Sequence, residues 1–144
     1  MVRSKRFKPI VNLAHNSERE AAKALGEVLS QLSESRQQLQ QLDSYRNEYQ
    51  QRLHTTGTHG MSAQALNEYR QFIAKIDGAI EKQQQIIEQA HKKLDEKKQF
   101  WFAKRGRSKA LDKVLDRYLE DERYQRERSL QKEQDDRAVK KPTF

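Results

Sequence analysis

The sequence predicts an all-α protein, a long antiparallel two-helix coiled-coil hairpin with an overhanging C-terminal helix. Three observations support this fold class. Hydrophobic residues make up 34% of the chain and charged residues 35%, whereas average globular domains have roughly 45–50% and ~25%. Glycine and proline are rare, with 5 and 2 occurrences, so little interrupts a helix. Apolar residues also recur at heptad spacing along two stretches, which is typical of coiled coils.

The first helix is predicted at about residues 10–54, because one heptad register runs through this stretch. Most of its a and d residues are apolar, and the polar exceptions are scattered, which favours a seam of period 3.5. The a positions are Val11, Glu18, Leu25, Leu32, Leu39, Arg46 and Leu53, and the d positions are Phe7, Ala14, Ala21, Val28, Ser35, Leu42 and Tyr49.

A bend is predicted at residues 55–61, where apolar periodicity stops and Gly57 and Gly60 occur. Ser62 is the predicted cap of the next helix, since a serine hydroxyl accepts hydrogen bonds from the unpaired backbone N–H groups of a helix start. A short connection makes the two helices antiparallel neighbours. A bend centred at about 57–58 places Val11 opposite Lys104.

The second helix is predicted at about residues 62–125. Its heptad register is sustained for longer than that of the first helix, which is strong support for a coiled coil. The a positions are Leu66, Ile73, Ile80, Ile87, Leu94, Trp101, Ser108 and Leu115, and the d positions are Tyr69, Ile76, Gln83, Ala90, Lys97, Lys104, Leu111 and Tyr118.

The chain is expected to be a single coiled-coil domain, residues 1–144, with flexible ends. Residues 1–8 form a basic arm and residues 126–144 a charged tail. The second helix then overhangs the first by about four turns. Its distal apolar residues either pack on the N-terminal arm or wait for another protein; these are Leu111, Val114, Leu115 and Tyr118.

Composition argues against catalysis, cofactors and metal sites. The chain has no cysteine and four scattered histidines, so it offers no thiolate site and no zinc ligand set. No apolar run approaches the ~18 residues of a transmembrane helix. We therefore expect a cytoplasmic, non-enzymatic protein. Its net charge of +8 favours acidic partners such as nucleic acid, anionic lipid or an acidic protein surface.

One flank of the predicted hairpin near the bend is unusually apolar. In an antiparallel pair the g positions of both helices line the same side, and such positions normally carry Glu and Lys. Here they form a half-exposed apolar strip of the kind that often marks a partner site; the alternative is that these residues only widen the core. The g residues are Gln38, Tyr45, Phe72, Ala79 and Ile86, with Tyr49 and Ile76 on the seam edge.

Two clusters of basic residues lie at the predicted open end of the hairpin, opposite the bend. In the predicted register the basic arm lies close to a second basic cluster, which favours a docking tip for an acidic partner. The two clusters are Arg3, Lys5, Arg6 and Lys8, and Lys104, Arg105, Arg107 and Lys109.

The aromatic run Phe100-Trp101-Phe102 lies among lysines and arginines. Aromatic rings among basic residues stack on bases of single-stranded nucleic acids. Phe100 and Phe102 point away from each other on a helix, however, and Trp101 falls on the seam. Core packing explains Trp101 better, and nucleic acid is not an expected partner.

The chain resembles the FliJ family of flagellar export proteins. The resemblance is carried by Tyr45-Arg-Asn-Glu-Tyr49, a bend that ends in Gly60, Tyr69-Arg-Gln-Phe72-Ile73, Ala79-Ile80-Glu81, and Trp101 with its basic surroundings. It covers most of the chain, and the aromatic spacing around the bend is its specific part.

The resemblance implies a non-catalytic stalk similar to the shaft of rotary ATPases. The end with both termini would enter the hexameric export ATPase FliI, at the two basic clusters named above. The family also binds the membrane export gate FlhA and escorts export chaperones, which implies peripheral association with the inner membrane at the flagellar base. Its gate-binding residues correspond to Gln38, Leu42, Tyr45, Tyr49, Phe72, Ile76 and Ala79.

Two rival functions share some of these features. The stalk protein of a virulence type III secretion injectisome has the same architecture. A basic coiled coil that binds nucleic acid is the other rival, and it predicts affinity that falls steeply with salt.

Overall fold

The computed structural model describes residues 2–140, and these residues form two helices and no strand. α1 spans Arg3–Thr58 and α2 spans Ala63–Lys140. The chain divides into two compact units: Met1–Ala22 with Phe100–Phe144, called here the open-end unit, and Lys23–Gln99, called the bend unit. In each unit the helices pack side by side and antiparallel, which confirms the predicted fold class.

The turn between α1 and α2 consists of residues 59–62 and is stabilised by local hydrogen bonds. The His59 N–H donates to the Thr56 carbonyl at 3.2 Å, and Gly60 adopts a φ of 90°, which favours glycine. The Ser62 hydroxyl accepts a hydrogen bond from the Ala65 N–H at 3.1 Å. This bond confirms Ser62 as the cap of α2.

The helices are longer than the sequence indicated. α1 begins at Arg3 rather than at about residue 10, so residues 3–8 are two turns of helix and not a loose arm. Pro9 lies inside α1, although proline removes a helical hydrogen bond and normally occurs in the first turn. α2 continues to Lys140 through most of the predicted flexible tail; Met1 and residues 141–144 lie outside the described residues.

Burial follows the predicted seam closely. Every residue predicted at an a or d position, from Phe7 to Leu53 on α1 and from Leu66 to Tyr118 on α2, is buried or partly buried. In the bend unit, Val28, Leu32 and Leu94 form the centre of an apolar cluster. The period of 3.5 therefore identified the packed face of both helices correctly.

In the open-end unit the pairing of the two helices differs from the prediction by about ten residues. In the open-end unit the rings of Phe7 and Tyr118 lie 5.3 Å apart, and a His15 ring nitrogen lies 2.8 Å from an Asp112 carboxylate oxygen. The predicted pairing of Val11 with Lys104 would put Phe7 opposite Ser108 and His15 opposite Phe100, so these two contacts lie ten and twelve residues further along α2 than predicted. The turn is centred at about residues 60–61 rather than 57–58. Moving the centre of a turn by three residues shifts the pairing of the helices by six, which accounts for part of the difference.

The pairing of the helices shows whether the distal apolar residues of α2 pack on the N-terminal segment or remain free for another protein, the two alternatives predicted from the sequence. Leu111, Val114, Leu115 and Tyr118 are partly buried, and Tyr118 contacts Phe7 of α1. They therefore pack on the N-terminal segment. Beyond Glu122, residues 123–139 of α2 are exposed with no facing segment of α1, an overhang of about five turns.

Candidate partner-binding surfaces

The predicted apolar flank of the bend unit is exposed and rich in aromatic rings. Tyr45 is 56% exposed and Phe72 43%, whereas Tyr49 is half-buried between the helices. The ring centroids of Tyr49 and Phe72 lie 4.4 Å apart, and the Arg52 guanidinium lies 5.5 Å from the Tyr49 ring centroid. We call Tyr45, Tyr49 and Phe72 the aromatic flank.

The other residues predicted on this flank differ in accessibility. Gln38 is exposed, Leu42 and Ala79 are half-buried, and Ile76 is buried in the seam at 8% exposure. Ile76 therefore supports the flank from beneath and offers no surface of its own. Ile86, at the same heptad position as Phe72, is 49% exposed and extends the apolar surface.

A buried glutamine connects the seam to this flank. Gln83 is 8% exposed, and its side-chain amide donates to the Ser35 carbonyl at 2.9 Å and to the Gln38 side-chain oxygen at 3.1 Å. Buried polar groups need such partners, because an unpaired amide in the core is costly. Gln83 thereby orients Gln38, a role that sequence reasoning missed although a polar residue at a d position signals it.

The opposite side of the bend unit is occupied by pairs of charged and polar side chains. Arg46 donates a hydrogen bond to the Asp77 carboxylate, and the Arg36 guanidinium lies 3.1 Å from a ring nitrogen of His91. Both pairs join α1 to α2. The polar groups of this side thus bind each other, whereas the aromatic flank presents its rings to solvent.

The two basic clusters of the open-end unit do not meet, which corrects the prediction. The Arg3 guanidinium lies 5.8 Å from the Tyr118 ring centroid, so the N-terminal cluster faces the part of α2 around Tyr118. The cluster from Lys104 to Lys109 lies about 10 residues, or ~15 Å, further back along α2. The error in the predicted register caused this misplacement.

An acidic side chain of α2 caps the start of α1. One Glu122 carboxylate oxygen accepts a hydrogen bond from the Ser4 N–H at 3.0 Å, and the other accepts from the Ser4 hydroxyl at 2.7 Å. The backbone hydrogen bond, then the hydroxyl, hold the pKa of Glu122 below its ordinary value; burial opposes them, and the charge of Arg126 adds to them. A carboxylate at a helix N-terminus also interacts favourably with the helix dipole.

The aromatic run of α2 is surrounded by the chain's own cations. Trp101 is partly buried on the seam as predicted, while Phe100 and Phe102 are 53% and 58% exposed. The Lys104 ammonium lies 5.2 Å from the Phe100 ring centroid, and the Arg105 guanidinium 5.2 Å from that of Trp101. Phe100 and Phe102 project ~160° apart. This arrangement does not form a continuous stacking platform for bases.

An open groove of about 1100 Å³ runs along α2 where α1 begins. Side chains of both charge signs and a few apolar ones line it, so its composition favours no single ligand. The residues are Val2, Arg3, Tyr118, Arg126, Leu130 and Glu133, among others.

Within residues 2–140, no group of three or more His, Cys, Asp or Glu side chains is placed to hold a metal ion. The same residues contain no helix that is both long and apolar enough to cross a membrane.

Comparison with known proteins identifies the family. A family model described as "Flagellar FliJ protein" matches residues 4–142. The chain belongs to the FliJ family. A FliJ protein of Salmonella typhi is 31% identical over 106 residues, which cover 74% of this chain and 72% of the relative. A FliJ protein of Escherichia coli strain K12 is 29% identical over the same length and coverage. The resemblance seen in the aromatic spacing around the bend is thus confirmed at the level of the family.

Proposed function

We propose that this FliJ-family chain is a non-catalytic component of flagellar type III protein export. In this proposal the open-end unit docks in the hexameric export ATPase FliI. The aromatic flank binds the export gate FlhA and couples ATP turnover to substrate entry. The chain also escorts export chaperones and works at the cytoplasmic face of the inner membrane. The family match favours this system over the injectisome alternative.

The exposed aromatic flank is the observation that carries the proposal. Coiled coils normally place Glu and Lys at flanking positions, and no packing need explains a tyrosine that is 56% exposed. Aromatic residues are enriched at the centres of protein interfaces. The opposite side of the bend unit is occupied by the Arg46–Asp77 and Arg36–His91 pairs, so the two sides are chemically distinct.

The test is a double substitution on the flank, Tyr45→Ala with Phe72→Ala. We expect affinity for the purified cytoplasmic domain of FlhA to fall about thirtyfold or more, because even one large interface aromatic contributes on the order of 2 kcal/mol. Helicity and ATPase stimulation are expected to remain at the wild-type level. Isothermal titration calorimetry, circular dichroism and an assay of phosphate release measure the three quantities.

Leu29→Ala is the matched control, since Leu29 is an exposed apolar residue of the same unit, at 47%, and lies away from the aromatic flank. Unchanged gate affinity in the double variant would show that the flank only widens the core. Equal loss in the control would show that any exposed apolar side chain supports binding.

A further inference from the structure

The charged side chains beside the aromatic flank are sorted by sign. Glu34 and Glu48 are exposed c residues of α1, called here the acidic row. Lys75 and Lys82 are exposed c residues of α2, called here the lysine row. Position c adjoins position g on the outer side of each helix. The two rows therefore border the flank along its two long edges.

Contacts in the bend unit place the two rows at nearly the same levels of the hairpin. The Gln83 amide donates to the Gln38 side chain at 3.1 Å. The ring centroids of Tyr49 and Phe72 lie 4.4 Å apart. The lysine row lies between these two contacts along α2, and the acidic row spans nearly the same levels along α1. Over the described segments 34–48 and 72–86, the c and g positions hold no cation on α1 and no carboxylate on α2.

The sorted segment is limited in length and confined to this side of the bend unit. Arg52 and Glu68, at g and c positions nearer the bend, and Glu96, at a c position beyond the other end, break the pattern. On the opposite side α1 carries both signs at these levels, with Arg36 and Asp43. Sorted charge and exposed rings therefore coincide along ~21 Å of the bend unit, at about 1.5 Å per residue.

The charges of the two rows are not neutralised within the described chain. The two ion pairs found among residues 2–140 involve other side chains. Along their own helices, Glu34, Lys75 and Lys82 also have no opposite charge three or four residues away, the spacing at which such pairs form. Both rows can therefore pair with charged groups of another molecule.

The apolar floor between the rows has a defined shape. The g positions of α2 are Phe72, Ala79 and Ile86, so two large side chains, 43% and 49% exposed, stand on either side of a small one. Successive g residues lie one heptad, or ~10 Å, apart along the helix. The dent over Ala79 can therefore accept one large apolar side chain, in the way that a knob enters a hole in a coiled coil.

We infer that this surface receives a single amphipathic helix of the export gate, with basic side chains along one edge and acidic ones along the other. Its apolar face lies on the aromatic flank, its basic edge on the acidic row and its acidic edge on the lysine row. Amphipathic helices bind apolar grooves in this way. The inference rests on the proposed function for the identity of the partner protein, and it adds the chemistry of the segment that binds.

The sorted rows also fix the direction in which this helix lies. Turning a helix end for end over the flank exchanges its two edges. The reversed helix would then place carboxylates against the acidic row and cations against the lysine row. Like charges brought together in this way select against the wrong orientation.

A second copy of the chain is the competing occupant, because a two-fold axis along the hairpin would also bring each acidic row against a lysine row. That arrangement would place the protruding Phe72 ring of each copy over the protruding Tyr45 ring of the other. It would also put the polar Gln38 side chain over the dent at Ala79. The rings would hold the two copies apart and the dent would stay unfilled, so the shape of the flank favours a separate helix.

Reversal of each row tests the inference, with affinity for the purified cytoplasmic domain of FlhA as the readout. Glu34→Lys/Glu48→Lys and Lys75→Glu/Lys82→Glu should each weaken binding about tenfold or more, because like charges then face the docked helix. The two variants change the net charge in opposite directions. Long-range attraction alone would strengthen one and weaken the other, which would overturn the inference.

Matched controls make the same changes of charge on the opposite side of the bend unit. Glu81→Lys/Glu88→Lys alters two exposed b residues of α2, and Arg70→Glu/Lys98→Glu alters two exposed e residues. Both are expected to bind within about twofold of the wild-type chain, since the docked helix does not reach them. Circular dichroism of all variants provides the folding control. Equal losses in rows and controls would show that the rows have no special part in binding.

Shape and direction have separate tests. Ala79→Trp fills the dent and should weaken binding about tenfold although it adds apolar surface; tighter binding would show an unshaped patch. Photo-crosslinkers on Gln31→Cys and Arg52→Cys, at the two ends of the flank, exploit the lack of natural cysteine. Each should capture a different end of one FlhA segment, identified by mass spectrometry. Capture of both ends by each label would show that direction is not fixed.

The remaining outcomes separate failure of the inference from failure of the proposed function. A wild-type chain that does not bind the FlhA domain would overturn the proposed function. If the wild-type chain binds and Tyr45→Ala/Phe72→Ala abolishes binding, but neither row reversal weakens it, only the inference is wrong. Sedimentation of the chain alone tests the competing occupant: a wild-type dimer that dissociates in both row variants would assign the surface to a second copy.

Discussion

The contact between Ser4 and Glu122 shows how one side chain stabilises a helix start that the sequence did not reveal. Ser4 belongs to the first turn of α1, where backbone N–H groups have no partner within the helix. Glu122 supplies that partner from the neighbouring helix at 3.0 Å. Local sequence could not indicate this, because the acceptor lies 118 residues away and is brought near only by the register.

The lowered pKa of Glu122 predicts a local dependence on acid. Because the folded pKa lies below the ordinary value of 4.5, the bond stabilises the N-terminal turn of α1 above that pH. Its contribution is lost as pH falls through the folded pKa. We expect the amide resonance of Ser4 in an NMR titration to shift with a midpoint below 4.5.

Glu122→Gln provides the control for this titration. The amide keeps an acceptor oxygen but does not ionise, so the low-pH shift of Ser4 should disappear. A midpoint at or above 4.5 in the wild-type chain would contradict the bond to Ser4.

At the scale of the element, the sequence identified the helices but not their ends. The prediction started α1 at about residue 10, just after Pro9, a residue that is disfavoured inside a helix. In the structure α1 continues through Pro9, because Ser4 and Phe7, which precede the proline, both contact α2. Tertiary contacts thus override a local preference. Gly57 similarly remains within α1, and only Gly60 adopts the positive φ of the turn.

Two glycines of the bend unit are expected to respond oppositely to alanine. A Cβ at Gly78, inside α2, meets no atom within 4 Å, so Gly78→Ala should stabilise the helix by about 0.5–1 kcal/mol. Gly60→Ala should destabilise the folded chain by a comparable amount or more, because Gly60 has a φ of 90° and residues with a side chain rarely adopt that backbone conformation.

Thermal unfolding followed by circular dichroism measures both effects. Melting temperatures that shift in the same direction for Gly78→Ala and Gly60→Ala would contradict the helical and turn assignments. The aromatic flank is untouched by either change, so the proposed gate binding should stay at the wild-type level in both variants.

At the scale of the whole molecule, the heptad pattern determined which faces meet but not how far the helices are offset. Every seventh residue of the seam is chemically similar, so a shift of one heptad preserves apolar pairing almost equally well. The aromatic flank was anticipated from faces alone. The basic tip required the register, and placing Arg3 beside Lys104 rather than near Tyr118 was wrong for that reason.

Engineered disulfides should report the register directly, since the natural chain has no cysteine. Ala14 is buried, at 8%, and Leu111 is partly buried; each lies one heptad from a member of the Phe7–Tyr118 pair. We expect Ala14→Cys with Leu111→Cys to form a disulfide on mild oxidation, because this pair repeats the Phe7–Tyr118 contact one heptad further along the seam, and a disulfide requires residues that face each other closely.

Ala14→Cys with Trp101→Cys is the control, since that pair matches the register predicted from the sequence. It should stay reduced, because the two cysteines lie ~15 Å apart along the seam. Electrophoresis of the oxidised chains after tryptic digestion distinguishes the two results. A disulfide in the control pair alone would restore the register predicted from the sequence.

The Gln83 amide has a mechanical consequence for the bend unit. Apolar side chains that repeat every seven residues pack almost equally well when one helix is shifted along the other. Under an axial load, the apolar contacts alone would therefore let one helix slide past the other. Sliding in either direction would pull the Gln83 amide from the Ser35 carbonyl and from Gln38, its two acceptors. That loss is expensive away from water. The hydrogen bonds of Gln83 therefore resist sliding, so that a pull on one helix of the bend unit is transmitted to the other.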